Sequence, residues 1–318
     1  MNSAAGESRL KIAIVGAGIA GNTAARRLHQ AGHDITLFEA GDHVGGHTHT
    51  HDIELHGERH AIDTGFIVFN DRTYPNFIGL LRELGVASRE SSMSFSVKNE
   101  ATGLEYNGTT LNTLFAQRLN LVRPSFHRMI RDILRFNREA PALLQDESPA
   151  AARLTLGDYL AAGRYAPIFI DNYLVPMGAA IWSTDPRRML DFPARYFIRF
   201  FHNHGMLTVD DRPVWRTIAG GSARYVERLV EPFRDRVHTA TPVESIRRGP
   251  AVKGGGVVVK ARGRDAERFD RVFMACHSDQ ALRLLDDPTA TEREVLGAIG
   301  YQANEAVLHM LEEIGDES

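Results

Sequence analysis

KIAIVGAGIAGNTAARRLHQAGHDITLFEA, residues 11–40, packs a strand, a glycine turn, a helix, a second strand and an acid into one short stretch. Ile12 to Val15 is a brief apolar run, the pattern of a strand buried on both faces. Gly16-Ala17-Gly18-Ile19-Ala20-Gly21 turns the chain into a helix. Ala20, Ala24, Ala25 and Leu28 give that helix a small-residue face that can press against a sheet. Gly32 stops the helix, and Ile35, Leu37 and Phe38 restart an apolar strand that ends at Glu39 and Ala40. Gly16 allows the sharp turn, Gly18 lets backbone approach a pyrophosphate, and Gly21 lets helix and strand pack closely. The helix N-terminus then offers free N–H donors and a positive dipole end to phosphates. Glu39 stands where a carboxylate can accept hydrogen bonds from a ribose diol. The expectation is a Rossmann-like α/β domain with a bound dinucleotide.

Working outward, residues 41–48 (GDHVGGHT) form a second glycine loop just past the acid. Paired glycines, Gly45 and Gly46, let the backbone cross a flat or phosphorylated ligand at close range. His47, His49 and His51 would share one face of a strand, where three imidazoles can hold a metal or bond to phosphate and carbonyl groups. No acidic or cysteine partner is spaced as a fourth ligand, so no metal is expected. Asp63-Thr64-Gly65 follows, with Thr64 read as a contact to the cofactor or to the loop that holds it.

The 318 residues carry a net charge of −3 and 43% hydrophobic content, enough for a sizeable core and no field that favours nucleic acid. The single cysteine, Cys276, excludes an intrachain disulfide and fits the cytoplasm. No apolar run reaches the roughly 18 residues of a membrane span. Arg118 to Arg138 carries six arginines against one acid, Asp132, with Phe126, Met129, Ile130, Ile133 and Leu134 as an apolar side. Such a helix can make peripheral contact with an anionic membrane or turn its apolar side to a core; the core reading is preferred. Phe192, Tyr196, Phe197, Phe200 and Phe201 cluster on one helix side, as core or as the wall of an apolar tunnel, with His204 at its end. Trp182 closes a segment of small residues that suits a flat ligand.

Together GAGIAG with Glu39, VGGHTHT, DTGFIVFN, GAAIWST, DFPARYFIRFFHNHG, VWRTIAGGSARYVERL and ACHSDQAL resemble a bacterial group of NAD/FAD-binding oxidoreductases. That group is a branch of the flavin amine oxidase and phytoene desaturase superfamily. The resemblance covers roughly residues 8–309. It implies FAD as cofactor, held by Gly16, Gly18, Ile19, Ala20, Gly21, Glu39, Ala40, Gly45, Gly46, His47 and Thr64, with backbone of Val243 meeting adenine. It implies a hydride passed from a substrate C–H bond to flavin but does not fix the substrate; a small molecule or a lipid acyl chain suits the aromatic wall, with Trp182, Phe197, Phe201 and His204 as candidates for the substrate side. Catalytic residues and oligomeric state stay open. The implied architecture is an FAD-binding domain from residues 1–70 and 211–290, an interleaved α+β substrate domain over 71–210, and a return to it over 291–318.

Two departures from the family pattern stand out. The superfamily's amine oxidases place a lysine on the strand expected at 305–309, and Ala303 to Val307 contains none. The resemblance also implies C-terminal truncation, since relatives continue into a Gly-Asp segment, and Gly315-Asp316 lies in a polar tail. The alternatives are an NAD-dependent dehydrogenase, against which the 41–48 loop argues, and a non-catalytic nucleotide-binding remnant.

Overall fold

The computed structural model describes residues 9–208, 213–249, 255–303 and 307–308. β1 (Lys11–Val15) runs between β2 (Asp34–Phe38) and the strand Arg271–Met274, with Val237–His238 outside β2. All three pairings are parallel, and Ile14 lies level with Leu37 on one side and Phe273 on the other. Four of the five β1 residues are buried, as a central strand covered on both faces requires. Between β1 and β2 the chain returns through α1 (Ile19–Gln30), whose buried positions are Gly21, Asn22 and Ala25. Small residues there bring the helix axis close to the sheet.

The chain makes two compact units. The first holds Met1–Val68, Phe77–Arg89 and Thr217–Ser318. Besides the parallel sheet it contains the hairpin of β3 (Thr50–Leu55) and β4 (Glu58–Asp63), paired from Thr50↔Asp63 to Leu55↔Glu58. It also contains most of α2 (Pro75–Leu84), which Gly85 ends at φ +65°. Glu83 of α2 accepts hydrogen bonds from Arg26, Arg27 and Gln30 of α1, tying the two helices. An antiparallel sheet of Val243–Arg248, Val257–Ala261 and Glu267–Phe269 packs Val243, Ile246, Val259 and Phe269 against Ala13, Val15 and Phe38.

Pattern alone suggests one strand from Val237 to Arg247. The structure breaks it after His238, because Ala240 N–H donates to Gly41 O and Thr241 N–H to Glu39 O, with Ala240 at φ +49°. The chain thereby leaves the parallel sheet at the point where β2 ends. The strand Glu267–Phe269 is too short for a periodic signal and was not expected from pattern.

The second unit holds Phe69–Asn76 and Glu90–Arg216. Its core gathers Phe126, Met129, Phe136, Leu156, Phe169, Leu174, Phe197 and Phe201, all essentially without exposed surface. The hairpin Ser96–Asn99 and Leu104–Asn107 leans on this core through Tyr106, whose hydroxyl donates to Asn172 O at 2.7 Å. The arginine-rich helix Pro124–Glu139 turns Phe126, Met129 and Phe136 inward, so its apolar side is core. Its mid-helix acid is buried too: Asp132 accepts from Arg128 and from Ala166 N–H and pairs with Arg135. Among the described residues no helix is long and apolar enough to cross a membrane. Most of the strand expected at Glu305–His309, and the Gly315-Asp316 pair, lie outside the described residues.

Candidate functional site

The glycines of the first loop are held by contacts that forbid a side chain. Gly16 sits at φ +103°, and a Cβ there would lie 2.8 Å from Ala275 O. A Cβ on Gly21 would fall 1.8 Å from Gly16 O, inside the helix–turn contact. Gly18 differs: nothing lies within 4 Å of a Cβ built on it. Its backbone (φ −70°, ψ −178°) suits any residue, so local geometry does not demand glycine there. Open space in front of an N-cap glycine is what an approaching phosphate needs. α1 has no side-chain cap and no acid in its first turn, so its first N–H groups keep their hydrogen-bonding capacity for a ligand. Ile19, an apolar residue on that first turn, is 40% exposed.

Glu39 and the second glycine loop close around the same point. The Glu39 carboxylate accepts from Ala17 N–H (2.7 Å) and Gly41 N–H (2.8 Å). These two bonds fix the acid between the loops and leave further lone pairs on both oxygens. Gly45 N–H donates to Ala17 O at 2.8 Å, and a Cβ on Gly46 would touch Gly18 Cα at 3.0 Å. Gly45 and Gly46 have φ of +127° and +62°, which glycine adopts without strain. Gly18, Gly45, Gly46 and Glu39 thus converge on one crevice at the carboxyl ends of β1 and β2, where open parallel sheets bind nucleotides. Ala40 follows the acid and is exposed.

A half-buried polar lock supports this crevice. Asp63, at the end of β4, accepts from Thr50 Oγ1 (2.6 Å), from Ser222 N–H (2.9 Å) and from Ser222 Oγ (2.9 Å). Thr50 Oγ1 accepts in turn from Ala223 N–H at 2.8 Å. Two donors at the start of the helix Ala223–Val230 are therefore satisfied by the β3–β4 hairpin. A Cβ on Gly221 would strike Thr50 Cγ2 at 2.5 Å, and one on Gly65 would lie 1.5 Å from His47 O. Buried Thr48 hydrogen-bonds the Tyr225 hydroxyl, whose pKa burial raises. Sequence pattern does not mark Thr50, Ser222 and Tyr225; the Asp-Thr-Gly and Gly-Gly-Ser triplets at 63–65 and 220–222 are the available signal.

Other expected residues fall elsewhere. The strand starts at Thr50, after both His47 and His49; the His47 ring lies 5.7 Å from that of His277, which stacks on Tyr301 at 4.5 Å. His49 stacks between His43 (4.3 Å) and His51 (4.1 Å), and burial followed by the charges of His51 and His43 lowers its pKa. Among the described residues no His, Cys, Asp or Glu cluster has the geometry of a metal site. Thr64 Oγ1 lies 3.1 Å from His51 Nε2, and its N–H donates to His49 O. Val243 opens its strand opposite Ala261, with a bulge before Ser245. Cys276 is half-buried and burial raises its thiol pKa, the setting of an inert cysteine.

In the second unit, Phe197 and Phe201 stack on each other at 4.2 Å and have no exposed surface. A tunnel wall needs free ring surface, so these two are core and not lining. Trp182 and His204 remain half-buried. Trp182 packs on Phe200 at 4.8 Å, and the His204 ring stacks on Phe200 at 3.9 Å beside Tyr74 and Trp215. His204 Nδ1 lies 2.9 Å from Phe200 O, so that nitrogen carries the proton and Nε2 is the acceptor in the neutral ring.

The fold and crevice define a dinucleotide-binding domain of the doubly wound class. The model for the family described as flavin containing amine oxidoreductase matches residues 19–313, and the chain belongs to that family. Its cofactor is FAD. Carotenoid phi-ring synthase of Chlorobaculum tepidum is 28% identical over 208 residues, 62% of this chain and 31% of that protein. Amine oxidase [flavin-containing] A of Canis lupus familiaris is 23% identical over 248 residues, 73% of this chain and 44% of that protein. Among solved structures, putrescine oxidase bound to putrescine superposes with a TM-score of 0.67 at 21% identity, covering 91% of this chain and 63% of that one. Cyclohexylamine oxidase from Brevibacterium oxydans gives the same four figures. The chain spans less than two thirds of the length of each of these relatives.

Proposed function

We propose that this chain binds FAD in the glycine crevice and serves an oxidoreductase acting on a small substrate with an apolar body. The observation that carries the reading is the cradle itself: Gly18 open to a ligand, Gly46 pressed on Gly18, and Glu39 fixed between the two loops. Ile19, Ala20 and Gly21 N–H groups would meet the diphosphate, and the Glu39 carboxylate would accept from the adenosine ribose hydroxyls. Ala40, His47, Thr64 and backbone of Val243 would complete the binding surface. When bound, FAD supplies the two-electron acceptor for a hydride leaving a substrate C–H bond.

The residues of this chain hold and orient. Glu39 binds the sugar while two backbone bonds keep it from turning away. The Asp63 lock keeps the hairpin, and with it the loop that ends at Thr48, in register. On the second unit, Trp182 offers an apolar face and His204 an acceptor nitrogen to a substrate. Phe197 and Phe201 support that surface from beneath. The family's amine oxidases act on amines; here an apolar substrate is proposed because the rings of Phe200, Tyr74 and Trp215 pack around His204. An acyl chain is the lipid form of that class.

The test is anaerobic. FAD-loaded chain is mixed separately with primary amines and with unsaturated and saturated acyl compounds, and the flavin absorbance is followed. Bleaching by an apolar compound and not by short diamines is expected. Bleaching by amines alone would reject the substrate proposal.

A further inference from the structure

We propose that the second unit carries a docking surface for an anionic lipid bilayer, formed by residues 111–134. The proposal stands on this surface alone and is independent of the cofactor reading. Within twelve residues the chain exposes four large aliphatic side chains: Leu111 at 78%, Leu119 at 55%, Leu121 at 51% and Val122 at 73%. Leu111 opens the short helix Leu111–Leu114, and the other three lie on the helical turn Arg118–Val122. The two pieces form one surface because Arg118 joins them, donating to Asn112 Oδ1 at 3.0 Å and to Phe115 O at 3.3 Å. His127 of the following helix bonds Leu121 O at 2.8 Å and fixes the turn against it. On that helix Arg131 and Leu134 are one and two turns further along the exposed side, with Leu134 at 52%.

Charge selects the occupant. From Tyr106 to Arg131 there is no acidic residue, while Arg118, Arg123, Arg128 and Arg131 all fall inside that span. The next acid, Asp132, is 3% exposed and pairs with Arg128 and Arg135, so Arg128 is held in that pair and Arg118, Arg123 and Arg131 carry the charge of the surface. A solvated basic face would not need four aliphatic side chains standing out of it. Exposed aliphatics beside Arg118, Arg123 and Arg131, with Glu105 next to the turn balanced by its ion pair to Lys98, match acyl chains beneath anionic headgroups, each arginine adding roughly 1 kcal/mol of attraction, about fivefold in partitioning. The sequence suggested a basic amphipathic helix for this role. The structure turns that helix's apolar side to the core and presents instead the turn that precedes it.

The experiment is co-sedimentation of the full chain with vesicles of phosphatidylcholine alone or with added phosphatidylglycerol. Binding to the anionic vesicles, weak binding to the neutral ones, and loss of binding at high salt are expected. Arg131→Gln should weaken partitioning about fivefold. The quadruple change L111S/L119S/L121S/V122S should abolish it while leaving the melting temperature within a few degrees, since these side chains are exposed. A second readout is Leu121→Trp, whose emission should shift to the blue on addition of anionic vesicles. Equal sedimentation of wild type and quadruple variant would overturn the proposal. So would a concentration-dependent dimer lost in the quadruple variant with no vesicle binding, which would make the patch a self-association face.

Discussion

Replacing Glu39 by alanine withdraws an acceptor from two backbone N–H groups at once. One belongs to Ala17, which is fully buried, and the other to Gly41, which is half-buried. Hydrogen bonds to a charged group contribute about 1.5–3 kcal/mol each, and a buried donor left alone costs about 1–3 kcal/mol. Gly41 N–H can turn to water and recover most of its share, whereas Ala17 N–H cannot. The expected loss in the FAD-free chain is therefore about 2–4 kcal/mol. FAD binding should fall by a further ten- to hundredfold, because the ribose hydroxyls lose a charged acceptor worth about 1.5–3 kcal/mol. Glu39→Gln keeps one acceptor oxygen but sets an NH2 against one of the two donors, so it should lie between wild type and alanine in both measures. Urea unfolding followed by circular dichroism gives the first quantity, and titration with FAD followed by flavin fluorescence gives the second. An apo stability within about 0.5 kcal/mol of wild type would refute the bridging role. An unchanged FAD affinity would refute the ribose role.

Three further outcomes follow from the packing. Asp63→Ala strands Ser222 N–H and frees Thr50, and should cost about 2–4 kcal/mol in chemical unfolding, with Asp63→Asn recovering part of it. Phe197→Ala empties a fully buried ring site and should cost about 3–5 kcal/mol, where a tunnel-lining ring would cost much less. Glu83, held down to about 2 chiefly by its hydrogen bond to Arg27, stabilises the contact between α1 and α2 above pH 4.5. Its side chain is 32% exposed, so solvent screening leaves about 1 kcal/mol, and the Glu83→Gln penalty should shrink as pH falls from about 4.5 towards 2.

The Rossmann-like core was readable because each of its residues answers a local demand. Gly16 must take φ +103°, Gly21 must clear Gly16 O, and Ile12 to Val15 must be apolar on both faces. The second glycine loop was readable for the same reason, since Gly46 presses on Gly18. What pattern could not supply were long-range polar pairings. Thr50, Asp63 and Ser222 are ordinary hairpin and turn residues until the fold brings 63 and 222 together. Nor could period alone tell core from lining: Phe197 and Phe201 have the spacing of either, and only their lack of exposed surface decides. The histidine stripe failed because the strand starts at Thr50, so of the three only His51 lies on it, and the His47 ring sits by His277 instead. The break after His238 has no local signal, because its cause, the main chain of Glu39 and Gly41, is some two hundred residues distant.

The account rests on an adenine dinucleotide lying over Gly18. Gly18→Val tests this most directly, since the position tolerates a side chain in the folded protein and the space it would fill is the ligand's. Equilibrium titration of FAD into wild type and variant should give one FAD per wild-type chain and binding weaker by at least about thirtyfold in the variant, with equal melting temperatures of the two FAD-free chains. Equal affinities, or a wild-type chain that takes up no FAD at saturating concentration, would contradict it.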